Sequence, residues 1–432
     1  MHLTPEQKQI GKDNFDEVVG ATRRDFLKKS LAAGVVSGAG LGAMYYGYGA
    51  EVKEPVRVGV IGTGDEGSVL IGAITPEFVQ MVAIADIRPY NIHRAFHGDH
   101  YTDAALAARP GLMAKYGWQT EDEARQHVKV YADQYEQLLD DPNVEGVIIA
   151  LPLHLHDEAA IKAMRKGKHV LTEKLMAHSV HQCKEMARVA AQTNRLLATG
   201  HQRHYNILYD NAVHTIRRGL LGDVHYIRAQ WHRGNLPGKD SWKPDLPPPP
   251  GTDKKDKEAA KTYALIKQYR SWDRKLKDVT KNGPATEIDV WQKRLAQLSK
   301  QIDDAVTAEN YGYQEMTLQD GKGTRRTALE ELLRWRLWNR TGGGLMAELG
   351  SHQLDAAGIF ITADSGGDRK VLPLSVQAVG CRYLFPPDRE VADHVYCTLE
   401  YPGKGYYQGD PGSGIADPNK KIAVTYSSIN GN

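Results

Sequence analysis

The strongest constraint on the fold is a series of short apolar runs that alternate with helical patterns between residues 56 and 200. Val56–Ile61 leads directly into Gly62-Thr63-Gly64-Asp65-Glu66-Gly67, a helical pattern follows through Ile74, and the next apolar run, Val79–Ala85, ends at Asp86. Strand-like runs recur at 128–131, 144–150, 169–172 and 196–200, separated by helical stretches at 134–139, 157–166 and 179–194. Such regular alternation predicts a mostly parallel sheet covered on both faces, with ligands gathering where the strands end.

The order strand, glycine turn, helix, strand, acid is the one that dinucleotide binding needs. Gly62 permits the tight turn, Gly64 lets the backbone approach a pyrophosphate, and Gly67 allows close helix packing. Thr63, Asp65 and Glu66 complete the turn and join the candidate cofactor contacts, at a helix start whose amides meet phosphates. A lone glycine pattern is weak evidence, but these flanks favour the dinucleotide reading over an incidental loop. Asp86 can accept hydrogen bonds from both ribose hydroxyls and repels a 2′-phosphate, which favours NAD, whereas Arg88 close behind it leaves NADP open.

Composition narrows the rest. Hydrophobic residues at 41% and charged residues at 25% are those of an ordinary globular chain, and a net charge of +2 provides no field to recruit nucleic acid. A small-molecule ligand is expected instead. Three cysteines are too few for a disulfide scaffold or a clustered thiolate site, so no metal is predicted. Cys381 and Cys397 flank Pro386-Pro387-Asp388-Arg389 and so face each other across a hairpin or sit as two buried free thiols, the second being the simpler expectation.

Residues 22–28, Thr-Arg-Arg-Asp-Phe-Leu-Lys, precede a glycine-rich, weakly apolar run from Leu31 to Ala50. This order resembles a twin-arginine export signal. The resemblance implies recognition by the twin-arginine translocation machinery, a periplasmic or cell-envelope destination, and a tightly bound cofactor, because that pathway carries folded proteins. No sharp cleavage site precedes Glu51, so cleavage after Ala50 and retention as a membrane anchor both stay open.

The strand ends carry Leu151-Pro152-Leu-His-Leu-His156 and Thr172-Glu173-Lys174, and further on the chain reads Gly342-Gly-Gly-Leu-Met-Ala-Glu348-Leu-Gly-Ser-His352-Gln-Leu-Asp355. These segments resemble the Pro-x-x-x-His, Glu-Lys-Pro and triple-glycine helix motifs of the Gfo/Idh/MocA family of oxidoreductases, with Leu175 in place of the family proline. His201-Gln-Arg203-His-Tyr205 is similar to the family's Gln-Arg-Arg segment. The resemblance covers about 56–232 and 336–400. It implies an α/β chain in which a doubly wound Rossmann domain over 55–203 is followed by an α+β domain over 204–432 with an open, mainly antiparallel sheet. Strands are expected at 223–231, 374–384, 391–401 and 422–427. Residues 1–50 form the signal region, and 244–327 a charged helical insertion, read as a helical hairpin or subunit-contact arm from the stripe Ile288, Trp291, Leu295 and Leu298. Family members usually continue beyond the last of these strands, so a C-terminally truncated sequence is expected. A homo-oligomer formed through the open sheet is also expected.

The same resemblance assigns roles. His352 is the proton acceptor and Lys174 the cation that stabilises a developing alkoxide, while Glu348 orients His352 or holds a substrate hydroxyl. Glu348, His352 and Asp355 are expected on one face of a single α-helix, with Asp355 as an orienting group. Pro152, His156, Glu173 and Lys174 line the nicotinamide side, and Arg203 and Tyr205, with Trp231, His232 and Arg233 further on, border the substrate pocket, core aromatic packing being an equally good account of Trp231. The expected activity is NAD-dependent hydride transfer from a secondary hydroxyl of a sugar, sugar derivative or cyclitol. The alternatives are a redox-assisted glycoside hydrolase with permanently bound NAD, and a non-catalytic nucleotide-binding scaffold.

Overall fold

The computed structural model describes residues 54–367, 369–409 and 413–431, so the segment resembling an export signal lies outside the described residues. Its first domain contains β1 (Val56–Ile61), helix α1 (Asp65–Ala73), β2 (Val79–Ala85), α2 (Pro89–His97), β3 (Lys129–Tyr131) and β4 (Gly146–Ile149). Helix α3 (His156–Arg165), β5 (His169–Thr172), α4 (Val180–Thr193) and β6 (Leu197–Thr199) complete it. The six strands pair in parallel in the order β3-β2-β1-β4-β5-β6. The chain therefore moves outward from β1 through β2 and β3, then returns to the other side of β1. That reversal between β1 and β4 opens the crevice in which a doubly wound sheet binds ligands.

Both faces of the sheet are packed. Val58, Val60, Met81 and Ile84 meet Ile71 of α1 and Ile92 and Phe96 of α2, whereas Ile61, Val147 and Ile149 meet Ala159, Ala163 and Met164 of α3 and Met186 and Val189 of α4. Ile71 and Met186 are wholly buried, and truncating either to Ala costs about 2–5 kcal/mol. Helix α4 starts on a capping box, in which Ser179 accepts from the Gln182 amide and Gln182 reaches back to the Ser179 amide.

Helix α5 (Ile207–Arg217) leads to β7 (Tyr226–Arg233) and a second sheet. Next come α6 (Ala264–Asn282), α7 (Ala285–Ile302), the two-residue strands β8 (Met316–Thr317) and β9 (Arg325–Arg326), and α8 (Ser351–Ser365). Strands β10 (Ser375–Cys381), β11 (His394–Pro402) and β12 (Lys421–Asn430) follow. The second sheet has the order β10-β11-β12-β7, antiparallel except for the parallel pair β12 and β7. Its inner face, with Ala229, Leu399, Val424 and Tyr426, packs on Ala357 and Ile361 of α8. Gly350 is required there, because a Cβ would lie 1.7 Å from the Tyr426 hydroxyl.

The charged insertion forms the helical hairpin α6–α7, turned at Gly283-Pro284 and held by Leu265, Ile266, Leu298 and Ile302. It folds back on the nucleotide domain of its own chain. Gln297 of α7 donates to Asp99 at 2.8 Å and to the Tyr90 hydroxyl at 3.2 Å, and accepts from the His100 amide at 2.6 Å. Hydrophobic spacing predicts the hairpin but carries no record of where its polar face docks.

The cysteine expectation needs correcting. Strands β10 and β11 do form a hairpin, but Cys381 pairs with His394 and Cys397 with Ala378, so the thiols are out of register. Cys183, Cys381 and Cys397 are all free, and Cys381 is exposed rather than buried.

Candidate active site

A cleft of 1760 Å³ runs from the glycine turn to the start of α8. At one end Gly62 has φ +88°, and a Cβ on it would lie 2.6 Å from the Ala150 carbonyl oxygen; a Cβ on Gly67 would lie 2.0 Å from the Gly62 oxygen. Gly64 has only the Asn91 side-chain nitrogen, 3.7 Å from its Cβ position, so the backbone there is open to a ligand. This is a cradle that side chains would fill, and it fits a pyrophosphate at the start of α1.

The acids around the turn are held by the chain itself. Asp86 accepts from the Thr63 amide at 2.7 Å, the Arg88 amide at 2.8 Å and the Asn91 side chain at 3.1 Å. Burial raises its pKa, with these donors opposing. Asp65 pairs with Arg94 at 2.7 Å, so although burial pushes its carboxyl up, the guanidinium holds it well below the usual carboxylate range. Glu66 lines the cleft beside it.

At the other end, Lys174 donates from Nζ to the Glu348 carbonyl oxygen at 2.5 Å and lies 4.0 Å from the Glu348 carboxylate. Arg336 approaches the same carboxylate oxygen at 3.3 Å. The Lys174–Leu175 peptide bond, where the family motif has proline, is cis. Glu173 accepts from the Lys174 amide at 3.1 Å, and burial together with neighbouring Glu66 pushes its pKa up to about 7. Gly200 makes room for that carboxylate, since a Cβ would lie 2.6 Å from Glu173 Oε1.

His352 is buried, 7% exposed, and lines the cleft. Burial and the nearby charges of Lys174 and Arg203 lower its pKa to about 4, so the ring is neutral at neutral pH. Nδ1 is enclosed without a hydrogen-bond partner, which leaves Nε2 as the nitrogen available to the cleft. The Trp231 ring lies 5.8 Å from the His352 ring, centroid to centroid.

Several expectations change in detail. Glu348 belongs to a π-helical segment, Met346–Gly350, that precedes α8, so Glu348 and His352 do not share a plain α-helical face. Single π turns in α-helices often mark functional sites. Asp355 accepts from His204 at 3.0 Å and Lys370 at 3.2 Å, consistent with an orienting group. His156 lines the cleft, but its Nδ1 meets the Leu175 carbonyl at 2.7 Å and its Nε2 the Leu151 carbonyl at 2.8 Å. It ties the β4 and β5 loops together and has no ring nitrogen spare for a ligand.

Pro152 and Tyr205 line the cleft, and Arg203 stacks over Tyr209 at 5.3 Å with its charge felt at His352. His232 is a correction: alternation along β7 puts Trp231 on the face toward His352 and His232 on the opposite face. Arg233 lines the cleft as expected, and Trp242, Asp304, Trp335 and Arg336 line it as well. None stands in a motif, and their clustering arises only from the folding of 235–340 over the crevice. Among the described residues His93, His97 and Glu121 bring potential metal-ligating atoms within 4.8 Å of one another, but Glu121 is already paired with Arg125 at 2.6 Å.

The sheet order, the glycine cradle and the acid after β2 define a dinucleotide-binding α/β fold. Residues 56–201 match the model of the Gfo/Idh/MocA oxidoreductase family, described as an NAD-binding Rossmann fold. An uncharacterized oxidoreductase of Schizosaccharomyces pombe is 35% identical over 30% of this chain and 36% of its own length. A glycosyl hydrolase family 109 protein of Solibacter usitatus is 28% identical over 49% of this chain and 46% of its own. Inositol 2-dehydrogenase 1 of Saccharopolyspora erythraea is 29% identical over 40% of this chain and 45% of its own. The chain thus spans less than half the length of each of these relatives.

Proposed function

We propose that this chain is an NAD-dependent oxidoreductase that takes hydride from a secondary hydroxyl of a sugar, sugar derivative or cyclitol. The observation that carries this reading is the neutral, buried His352, with one ring nitrogen open to the cleft that also holds Lys174 and the glycine cradle. Bound NAD supplies the hydride acceptor. His352 takes the hydroxyl proton, and a base must be unprotonated to do so. Beyond its bond to the Glu348 carbonyl the Lys174 ammonium has two further N–H donors, which would stabilise the oxygen as negative charge develops. Glu348, held between Lys174 and Arg336, is placed to accept from a second substrate hydroxyl.

A second reading is a redox-neutral glycoside hydrolase, in which hydride leaves the sugar, the aglycone is eliminated and hydride returns. The relative named as a glycosyl hydrolase family 109 protein favours it, as does the resemblance of residues 22–50 to an export signal, since an exported enzyme must regenerate a tightly held cofactor on itself. On either reading we propose a periplasmic or cell-envelope protein delivered by the twin-arginine translocation machinery. We also propose a homo-oligomer formed through the open sheet, where β10 is exposed at every residue.

The test is to purify the protein, determine bound nucleotide, and supply sugars, cyclitols and aryl glycosides without added cofactor while following reduced-nicotinamide absorbance. Lasting reduction by a free sugar or cyclitol supports the dehydrogenase. Aglycone release without lasting reduction supports the hydrolase, and failure to bind any nicotinamide nucleotide overturns both.

A further inference from the structure

We infer that Asp304, in the helical insertion, determines cofactor selectivity by occupying the place that a 2′-phosphate would need. The inference rests on the nicotinamide-nucleotide reading above. Asp304 follows α7, and its side chain is 1% exposed. Its Oδ2 accepts from Arg88 Nε at 2.8 Å and pairs with Arg88 Nη2 at the same distance, while Oδ1 accepts from the Tyr90 amide at 3.1 Å. Pro89 and Tyr90 open α2, so the carboxylate sits at a helix N-terminus and on a guanidinium at once.

Those two donors are what an anion-binding site consists of: a fork-shaped cation and a helix-start amide aimed at one point. They lie two to four residues beyond Asp86, at the ribose end of the nucleotide crevice, and Arg88, Tyr90 and Asp304 all line the cleft. In a dinucleotide fold an arginine at this place accommodates the 2′-phosphate of NADP. Here the chain fills that site with its own carboxylate. A 2′-phosphate would meet the charge of Asp304 as well as that of Asp86, and would find Arg88 already neutralised. NAD, with a hydroxyl at that position, needs neither donor.

The insertion is built to hold the carboxylate there. Gln297 anchors α7 to Tyr90, Asp99 and His100, and Arg294 donates to the His100 carbonyl at 3.0 Å. Asp304 is therefore a specificity residue contributed by a segment outside the nucleotide domain.

The experiment compares NAD and NADP affinities of the full-length protein by calorimetry for the wild type, Asp304→Asn, Asp304→Ser, and Asp304→Ser combined with Arg88→Ala. Asp304→Ser, which vacates the place and frees Arg88, should raise NADP affinity by about tenfold or more, the scale of one charge-assisted hydrogen bond, and Asp304→Asn, which removes the charge but not the bulk, should raise it by less, with NAD affinity kept within about threefold in both. The Arg88→Ala combination should abolish the gain. Asp304→Asn keeps the shape and the acceptor for the Tyr90 amide, so it reports even if the serine variant does not fold. Unchanged NADP affinity in a variant that still binds NAD overturns the inference, as does a gain that persists without Arg88. Binding of neither nucleotide by the wild type would instead sink the functional reading on which the inference rests.

Discussion

The ammonium of Lys174 donates to the main-chain carbonyl of Glu348 at 2.5 Å, joining the loop after β5 in the nucleotide domain to the π-helical segment before α8 in the second domain. The ammonium proposed to face the developing charge is thus positioned by backbone, at 4.0 Å from a carboxylate that Arg336 also approaches. Lys174→Met should lower kcat by about a hundredfold or more, the usual worth of one preorganised electrostatic donor, while NAD affinity stays within a few-fold. Steady-state kinetics beside calorimetry checks this; a kcat within threefold of the wild type removes Lys174 from the mechanism.

His352→Ala should reduce kcat by about 10²–10⁴, the range for losing a positioned general base. In the wild type, kcat/KM should fall as acid protonates His352 near pH 4 and should show no His352 limb near the ordinary imidazole value of 6.5. A limb at 6.5 that disappears in His352→Ala contradicts the burial argument.

Burial likewise lowers the pKa values of His93 and His154 to about 4. Imidazoles kept neutral in the fold take up protons first in the unfolded chain. Their contribution to stability is complete above 6.5 and is lost as pH falls from 6.5 toward 4. Thermal unfolding should show the melting temperature dropping through that window, less steeply in His93→Phe.

Glu173 has the opposite sign. Its pKa stands near 7 rather than the ordinary 4.5, so stability declines as pH rises from 4.5 to 7 and the buried carboxyl must ionise. Glu173→Gln keeps an acceptor for the Lys174 amide. It should melt above the wild type at pH 8, with the gap narrowing at pH 5; an equal gap at both values would exclude the ionisation of Glu173 as the cause.

Gly67→Ala places a Cβ 2.0 Å from the Gly62 carbonyl oxygen, a contact with backbone that no rotamer relieves. The turn must move, and NAD affinity should drop by at least about tenfold, which calorimetry on the folded variant would measure.

The nucleotide domain was legible because its signals are local. The runs at 56–61, 79–85 and 169–172 are strands at those limits, and Ser179 and Asn194 flank α4 as its caps. Glu348 and His352 stand in a recognisable motif, and both face the cleft. The π turn between them left no mark in the spacing, since hydrophobic periodicity cannot distinguish one inserted helical residue. His232 was misplaced because the expected strand ended at Trp231, whereas β7 runs on to Arg233, and alternation within it turns His232 away from the face of Trp231. Asp304 was invisible for a similar reason: an acid in a charged stretch acquires meaning only when α7 docks against α2.

Strand β12 pairs with β11 on one side and, in parallel, with β7 on the other, although β7 precedes it by most of the second half of the chain. Contacts so distant in sequence form late, because a long loop must close before they bring any gain. During synthesis the glycine cradle can therefore be complete while the ribosome is still adding β12, whose Tyr426 packs against Gly350. The two ends of the cleft thus differ in when their supports exist: the cradle rests on residues up to 201, whereas the helix that carries His352 gains its sheet only with the last strand.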